Sequence, residues 1–294
     1  MNKKPLVSIV TPSYNQGVFI EDTILSVKNQ DYPRVEHIVV DGGSTDKTLS
    51  ILKKYEHEYN LFWVSEVDNG QSDAVNKGFE KASGEIIGWV NSDDLYFDRQ
   101  VFEDIVRLFE KWGEVDVIYG DLAVIDENNL FKRVRHTIPW FSYDRLLVHD
   151  FINQPSTFFR RKIIDNYKLD EDIDLPMDYD FWIKIAKEGA KFKHFDRIVA
   201  CHRMYENAKT QARLVEMAEE SKRLKQRYGQ TFGFKYFFGL FADKSIMAFL
   251  RIKGLREMLR IYSNKREYDL AFEPKFDSII KTIASQLLYP SIQI

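Results

Sequence analysis

Strand and helix signals alternate through the first half of this chain. The segments Leu6–Thr11, Val35–Val40, Leu61–Val67 and Ile86–Val90 are rich in apolar and β-branched residues, and a segment with helical spacing follows each of the first three. Because parallel strands need crossover helices between them, this alternation predicts a mostly parallel sheet with helices on both faces. The expected fold class is therefore α/β.

The run GWVNSDD at residues 88–94 marks the end of the fourth predicted strand. An apolar segment stops there at two adjacent carboxylates, Asp93 and Asp94, which repel each other and cost desolvation free energy. A divalent cation removes that cost, and hard oxygen ligands of this kind suit Mg²⁺ or Mn²⁺. Ligands in open α/β sheets bind beyond the carboxyl ends of strands. The competing interpretation is a polar turn in which Asp94 caps the next helix.

Charge and cysteine content exclude several classes of protein. The net charge of −3 is the sum of −9 over residues 1–210 and +6 over residues 211–294. An acidic body argues against nucleic-acid binding. The single cysteine, Cys201, excludes an internal disulfide framework and fits a reducing compartment.

We find neither a signal-peptide core nor an apolar run of about 18 residues, so we expect a cytoplasmic protein without a transmembrane helix.

The pattern changes to long helices from Gln211 onwards. Apolar and aromatic residues recur at helical spacing, and lysines and arginines lie between them. We favour a helical C-terminal extension, residues 211–294, that packs on the main domain. The alternative is peripheral contact of these helices with a membrane, because anionic lipid attracts a basic segment.

Five motifs appear in order over the first 210 residues. They are VSIVTPSYNQ at 7–16, VDGGSTDKT at 40–48, DNGQSDAVNKGF at 68–79, GEIIGWVNSDD at 84–94 and MDYDFWIKIA at 177–186. Together they resemble the motifs of the family 2 glycosyltransferases. The resemblance implies a GT-A fold over residues 1–210, in which 1–95 bind a nucleotide sugar and 96–210 form the acceptor side. It also implies an inverting transfer of a hexosyl or N-acetylhexosaminyl group.

The resemblance assigns a nucleoside pocket to the first two strand ends. By this resemblance Thr11, Pro12 and Tyr14 line the pocket, and Tyr14 is available to stack on a base. Asp41 ends the second strand, where a carboxylate can accept a hydrogen bond from a base N–H such as N3 of uracil. We therefore expect UDP to be the nucleotide, with GDP and dTDP as the alternatives.

The third predicted helix follows Asp68-Asn69-Gly70-Gln71-Ser72, and its N-terminus is able to face a diphosphate. In the family the regions of Asp68 and Asp73 hold the nucleotide and the donor sugar. We place Asn76 on the ligand side of the same helix. A plain surface helix is the alternative.

Asn91-Ser92-Asp93 occupies the Asp-x-Asp position of the family, with Asn in place of the first Asp. The resemblance implies that Asn91 contacts the ribose, since an amide can still hydrogen-bond its hydroxyls. Asp93 then becomes the main ligand of Mg²⁺ or Mn²⁺.

Asp178 matches the second residue of the family's Glu-Asp pair, and Met177 stands in the Glu position. We expect Asp178 to act as general base on the acceptor hydroxyl. The competing role is a helix cap. Further along, Arg203 and Lys209 are candidates to neutralise phosphate charge.

The predicted function is transfer of a sugar from a nucleotide-diphosphate donor to a saccharide or lipid-linked acceptor in polysaccharide or glycan biosynthesis. Two alternatives remain. One is a sugar nucleotidyltransferase, although PSYNQG lacks the basic phosphate loop of that class. The other is a non-catalytic nucleotide-sugar-binding module, which the departures at Asn91 and Met177 keep open.

Overall fold

A computed structural model of the chain describes residues 4–206 and 208–229. Its centre is one mixed sheet with the strand order β3-β2-β1-β4-β8-β6-β9-β5, and β7 pairs with β6. The strands are β1 (Val7–Ser13), β2 (Val35–Asp41), β3 (Leu61–Ser65), β4 (Ile86–Trp89), β5 (Leu95–Tyr96), β6 (Val117–Ile125), β7 (Phe131–Arg135), β8 (Thr157–Arg160) and β9 (Phe192–Arg203).

Helices flank this sheet. They are α1 (Ile20–Lys28), α2 (Thr48–Tyr55), α3 (Gln71–Lys81), α4 (Val101–Lys111), α5 (Tyr143–Val148), α6 (Lys162–Asn166), α7 (Met177–Lys187), α8 (Lys209–Ala212) and α9 (Leu214–Arg227), and a 3-10 turn spans Gln154–Ser156. The α/β fold is as predicted.

The two halves of the sheet differ in strand direction. Strands β3, β2, β1 and β4 are parallel, as the alternation of strands and helices predicts. Beyond β4 the pairings of β8 with β4 and β6 are antiparallel, β6 and β9 are parallel, and β7 and β5 are antiparallel edges. The prediction of a mostly parallel sheet is therefore correct only for the first half, because hairpin-like returns build the second.

Helix α3 lies close against β1, and a glycine makes this possible. A Cβ atom on Gly78 would lie 2.3 Å from Cγ1 of Val10. The helix begins at Gln71, and the carboxylate of Asp73 in its first turn accepts a hydrogen bond from the Asn69 N–H at 2.9 Å. Close packing here fixes the N-terminus of α3 beside the carboxyl ends of β1 and β4.

The core divides between the two faces of the sheet. One cluster joins α3 and α7 to the sheet through Phe79, Trp89, Phe159, Phe181 and Trp182, whose rings meet mostly at steep angles. The other packs α4 on the opposite face. Trp182, which belongs to this cluster, is a core residue with 1% exposure.

The described part of the C-terminal segment is helical and is attached to the domain. From α9, Leu224 is buried, the Lys225 ammonium donates to the Val148 carbonyl at 2.9 Å, and the following residue Tyr228 donates its hydroxyl to Asp180 at 2.8 Å. The first apolar residue of α9, Leu214, does not pack on the domain, since it is 57% exposed. The remainder of the predicted extension, residues 230–294, lies outside the described residues. No helix within 4–206 or 208–229 is long and apolar enough to span a membrane.

Candidate active site

A cavity of about 630 Å³ lies at the carboxyl ends of β1 and β4, between the two halves of the sheet. Its lining comes from the segments that follow β1, β4 and β9 and from the first turns of α3 and α7. Among its residues are Pro12, Tyr14, Asp68, Gln71, Asn91, Asp93, Asp94, Arg135, Asp150, Gln154, Met177, Asp178, His202, Tyr205, Lys209 and Met217. Asp93 and Asp178, which are 85 positions apart in sequence, therefore face the same space.

Asp93 and Asp94 are held by the end of β9. The Tyr205 hydroxyl donates to Oδ2 of Asp93 at 2.9 Å. Oδ1 of Asp94 accepts the backbone N–H of Arg203 at 2.9 Å and lies 3.0 Å from Nδ1 of His202. The second oxygen of Asp94 is buried and has no hydrogen-bond partner among the described residues. The turn after β4 is thus an organised carboxylate site.

The electrostatics of this site are dominated by negative charge. Burial, and next the Asp94 carboxylate, raise the pKa of Asp93 to about 6. Although burial opposes a charge on His202, the Asp94 carboxylate raises the pKa of that imidazole. Two close carboxylates with one histidine leave an excess of negative charge, and a cation bound there would offset it.

The donor set fits a cation that is shared with a substrate. Within residues 4–206 and 208–229 no group of three or more His, Cys, Asp and Glu side chains forms a protein-only metal cage. Asp93 faces the cavity, and the adjacent Asp94 keeps one oxygen without a hydrogen bond. Mg²⁺ typically binds one or two protein carboxylates together with substrate phosphates, so these residues suit such a cation.

A second wall of the cavity carries Arg135, Asp150 and Asp178, and is called here the carboxylate wall. Asp178 lies in the first turn of α7, and burial raises the pKa of its carboxyl. Burial and the charge of Asp178 raise the pKa of Asp150 to about 7, while the Arg135 guanidinium acts in the opposite direction on both carboxyls. A carboxyl with a raised pKa beside an open cavity is suited to accept a proton near neutral pH.

The wall opposite holds the residues that follow β1, β3 and β4. Tyr14 is 62% exposed and presents a free aromatic face. Asp68 accepts the Gly70 N–H at 2.9 Å, and the carboxamide oxygen of Asn91 accepts hydrogen bonds from Gln71 at 2.9 Å and from the Trp89 indole at 3.1 Å. This wall offers an aromatic ring, polar groups and the N-terminus of α3, the elements that a nucleotide requires.

A family model described as Glycosyl transferase family 2 matches residues 8–171, more than half of the chain. The chain belongs to this family.

Relatives with known names support the membership. The glycosyltransferase TuaG of Bacillus subtilis (strain 168), whose name assigns it to teichuronic acid biosynthesis, is 29% identical over 210 residues, which are 70% of this chain and 82% of TuaG. An uncharacterized glycosyltransferase of Mycobacterium tuberculosis (strain ATCC 25618 / H37Rv) is 30% identical over 188 residues, covering 63% of this chain and 71% of that protein.

Solved structures show the GT-A fold. The S. aureus TarS fragment 1–349 in complex with UDP-GlcNAc matches with a TM-score of 0.61 at 20% identity, over 74% of this chain and 65% of that one. The mannosyltransferase PcManGT from Pyrobaculum calidifontis, in complex with GDP-Man and Mn²⁺, also has a TM-score of 0.61, at 17% identity, over 99% of this chain and 89% of that one. The predicted family and fold class are confirmed.

Of the site residues predicted for this family 2 glycosyltransferase, the structure brings seven together around the cavity: Pro12, Tyr14, Asp68, Asn91, Asp93, Asp178 and Lys209. The ammonium of Lys209 already donates to the Asp174 carboxylate at 2.6 Å. Five others, Thr11, Asp41, Asp73, Asn76 and Arg203, lie outside the lining.

Thr11 and Asp41 are internal to the fold. Oγ1 of Thr11 lies 2.9 Å from Nε2 of His37, and both residues are fully buried. The Asp41 carboxylate is also fully buried and accepts hydrogen bonds from the Ser44 N–H at 2.8 Å and the Ser65 hydroxyl at 2.6 Å. Its role here is to shape the turn after β2. The expected cavity-facing position of Thr11 is wrong, and a base contact of Asp41 stays a prediction.

Asp73 and Asn76 face the protein rather than the cavity. Asp73 closes the first turn of α3 and pairs with Lys77 at 3.2 Å. The Asn76 amide donates to the Leu169 carbonyl at 3.1 Å and accepts the Leu169 N–H at 2.9 Å. The predicted ligand-facing position of Asn76 is therefore wrong, because this side chain fastens the loop before α7 to α3.

Arg203 is a structural residue. Its side chain is 1% exposed, and its guanidinium donates to the Asp93 carbonyl at 2.9 Å, to Asp22 at 2.9 Å and to Asn129. It also lies over the Phe19 ring, 4.6 Å from the centroid. The prediction that Arg203 neutralises substrate phosphate is not supported by this placement, since every part of the cation is already engaged.

Among the cavity residues with charged or imidazole side chains, Arg135, Asp150 and His202 were not named by the sequence analysis. Arg135 and Asp150 lie in none of the five motifs, whereas His202 directly precedes the candidate residue Arg203. Strand alternation could have identified His202. Successive side chains on β9 point to opposite faces, so an inward-facing Arg203 places the side chain of His202 on the other face. No local pattern marks Arg135 or Asp150, which reach the cavity from β7 and from the loop after α5.

Proposed function

We propose that this chain is an inverting glycosyltransferase that moves a hexosyl or N-acetylhexosaminyl group from a nucleoside-diphosphate donor to a hydroxyl of a saccharide or lipid-linked acceptor. The observation that carries the proposal is the position of Asp93 and Asp178 on one cavity. One residue is suited to the diphosphate and the other to the acceptor, so a single sugar between them is within reach of both.

The donor is proposed to be a UDP sugar, bound along Pro12, Tyr14, Asp68 and Asn91. The exposed ring of Tyr14 offers a stacking surface for a base. The N-terminus of α3, beside Asp68, favours the negative charge of a diphosphate. The fold accepts either UDP or GDP sugars in other proteins, since TarS was solved with UDP-GlcNAc and PcManGT with GDP-Man.

Asp178 is proposed as the general base. Its carboxylate takes the proton from the acceptor hydroxyl while the hydroxyl oxygen attacks the anomeric carbon. The bond from that carbon to the diphosphate oxygen breaks, and its electron pair leaves with the nucleoside diphosphate. Attack opposite the leaving group inverts the anomeric configuration. The raised pKa of Asp178 makes its conjugate base a better proton acceptor than an ordinary aspartate.

Asp93 is proposed as the principal ligand of Mg²⁺ or Mn²⁺, with Asp94 beside it. A cation held there supplies positive charge that offsets the charge growing on the leaving diphosphate. The protein's own contribution is to hold Asp93 through Tyr205 and Asp94 through His202 and the Arg203 N–H.

We also propose the division of the chain into a catalytic domain at 1–210 and a helical extension at 211–294, the latter making peripheral contact with the inner face of the cell membrane. The net charge of +6 over residues 211–294 supports attraction to anionic lipid. Binding of the full chain to vesicles with anionic lipid at low salt tests this, and failure to bind them removes the membrane part of the proposal.

A thermal-shift panel of nucleotide sugars with Mn²⁺ tests the function. A donor that binds the folded state raises the melting temperature by mass action. The bound donor is then incubated with saccharide acceptors, and NMR of the product gives the anomeric configuration. A product with inverted configuration supports the proposal. Retention of configuration, or release of pyrophosphate from UTP and a sugar phosphate, contradicts it.

A further inference from the structure

The carboxylate wall contains one basic side chain, Arg135, that has no partner among residues 4–206 and 208–229. The three basic residues that line the cavity in the described part of the chain are Arg135, His202 and Lys209. His202 is paired with Asp94 at 3.0 Å and Lys209 with Asp174 at 2.6 Å. Arg135 makes neither a hydrogen bond nor an ion pair with any described residue, and its side chain is exposed. A guanidinium has five donors, so this one is open to a ligand.

A role as counter-ion of Asp150 and Asp178 does not account for the position of Arg135. Its charge acts on both Asp150 and Asp178, yet no ion pair within 4.0 Å joins it to either carboxylate among the described contacts. Asp150 keeps a raised pKa in spite of this neighbour. Arg135 therefore lies close enough to lower the pKa of both carboxyls, and its guanidinium forms no ion pair with either of them among the described residues.

The position of Arg135 separates it from the predicted diphosphate site. It ends β7, an edge strand of the second half of the sheet, whereas Asp93 follows β4 in the first half. Its charge acts on Asp150, Asp178 and His202; of these three, Asp178 is the residue that touches the acceptor hydroxyl under the proposed function. A group bound by Arg135 therefore belongs to the acceptor.

We propose that Arg135 binds an oxyanion of the acceptor, either the carboxylate of an acidic sugar or a phosphate, while Asp178 holds the acceptor hydroxyl. This inference rests on the proposed function and adds to it the chemical class of the acceptor. The planar guanidinium matches both anions through two parallel N–H···O bonds. The carboxylates of Asp150 and Asp178 alone would repel an acceptor with a negative charge. The guanidinium of Arg135 beside them offsets that repulsion.

The test uses the full chain loaded with UDP and Mn²⁺ and three probes that differ in one group: methyl glucoside, methyl glucuronide and methyl glucoside 6-phosphate. Affinity is measured by calorimetry. We expect one or both anionic probes to bind about 10- to 100-fold more tightly than the neutral one, the range for a charge-assisted hydrogen-bonded pair. Whichever anion wins identifies the source of the oxyanion.

Variants assign the preference to the residue. Arg135→Ala should abolish the preference and leave the affinity for UDP unchanged, and Arg135→Lys should keep part of it because the charge remains and the fork is lost. Arg223→Ala is the matched control, since Arg223 is exposed on α9 and does not line the cavity. It should behave like the wild type.

Three outcomes overturn the inference. Equal or undetectable binding of all three probes by the wild type shows that the acceptor is not selected by charge. An Arg135→Ala variant that keeps the preference removes this residue from the contact. A loss of UDP affinity in that variant places Arg135 on the donor. These outcomes leave the proposed function intact, whereas a wild-type chain that binds no nucleotide sugar overturns the function and this inference together.

Discussion

The Tyr205 hydroxyl donates a hydrogen bond to Oδ2 of Asp93 across 2.9 Å, joining residues that are 112 positions apart. The Tyr205 ring packs on Phe19 with centroids 4.8 Å apart, which fixes the direction of the hydroxyl. The end of β9 therefore orients the carboxylate that follows β4. A cation at Asp93 would meet a side chain already held in one place, and little rotamer entropy would be lost on binding.

Replacing Asp93 by Ala should weaken the metal-dependent part of donor binding. The variant loses the carboxylate that we assign to the cation, so calorimetric affinity for the nucleotide sugar in Mn²⁺ should fall at least about tenfold. In the presence of a chelator, wild type and variant should bind alike. Asp172→Ala is the control, because Asp172 is exposed and lies outside the cavity lining. Unchanged affinity with and without Mn²⁺ would show that Asp93 is not the ligand.

Replacing Asp178 by Asn should separate binding from catalysis. The amide keeps the size of the side chain and cannot accept the proton, so transfer should drop by about 10²- to 10⁴-fold while donor affinity is retained. Single-turnover assays and donor calorimetry on the same preparation measure the two effects. Asp172→Asn makes the same chemical change on an exposed loop and should transfer at the wild-type rate. Turnover near wild type in Asp178→Asn would exclude a base role.

Replacing Asp150 by Asn should change how stability depends on pH. In the folded protein the pKa of Asp150 is raised to about 7, above the value of about 3.9 in an unfolded chain. The unfolded chain releases its proton first as pH rises, so this group lowers stability progressively between about pH 4 and pH 7.

The Asn variant lacks this penalty. Relative to wild type it should be more stable at pH 8, by up to about 4 kcal/mol for a pKa that moves from about 3.9 to about 7, and should show no such gain at pH 4. Chemical unfolding at the two pH values measures the difference. An equal effect of the substitution at both values would mean that the Asp150 carboxyl titrates normally.

Replacing Arg203 by Ala should destabilise the fold before it affects any ligand. The change removes a buried cation from Asp22, Asn129 and the Asp93 carbonyl, and breaking a buried charged network costs roughly 3–5 kcal/mol. Urea unfolding should show the loss, whereas Arg223→Ala should stay within about 0.5 kcal/mol of wild type. A fully stable Arg203→Ala variant with weakened donor binding would restore the phosphate role that the sequence indicated.

The sequence was most informative where function and local pattern coincide. Asp93 follows directly on an apolar strand, so its place at the sheet edge could be read from adjacent residues. The hairpin of β6 and β7 turns at Asp126-Glu127-Asn128-Asn129, polar residues typical of turns, and Asn129 has a φ of 62°. Such features depend on a few consecutive residues and need no knowledge of the tertiary fold.

Side-chain direction and distant partners were not accessible in this way. Thr11 and Pro12 are neighbours in one motif, but on a strand they face opposite sides, and only Pro12 lines the cavity. Asn76 stands on the expected helix, yet its partner Leu169 is 93 positions away. Arg135 and Asp150 meet Asp178 only because β7, a loop and α7 converge, and no sequence spacing encodes that convergence.

The attachment of α9 affects how this enzyme should be shortened for study. Arg227 binds Asp170 at 2.8 Å and Tyr228 binds Asp180 at 2.8 Å, while Met217 lines the cavity. A fragment cut after residue 210 would lack Met217 and would leave both aspartates without these partners. The shortest piece that should crystallise with an intact substrate chamber therefore extends beyond Tyr228.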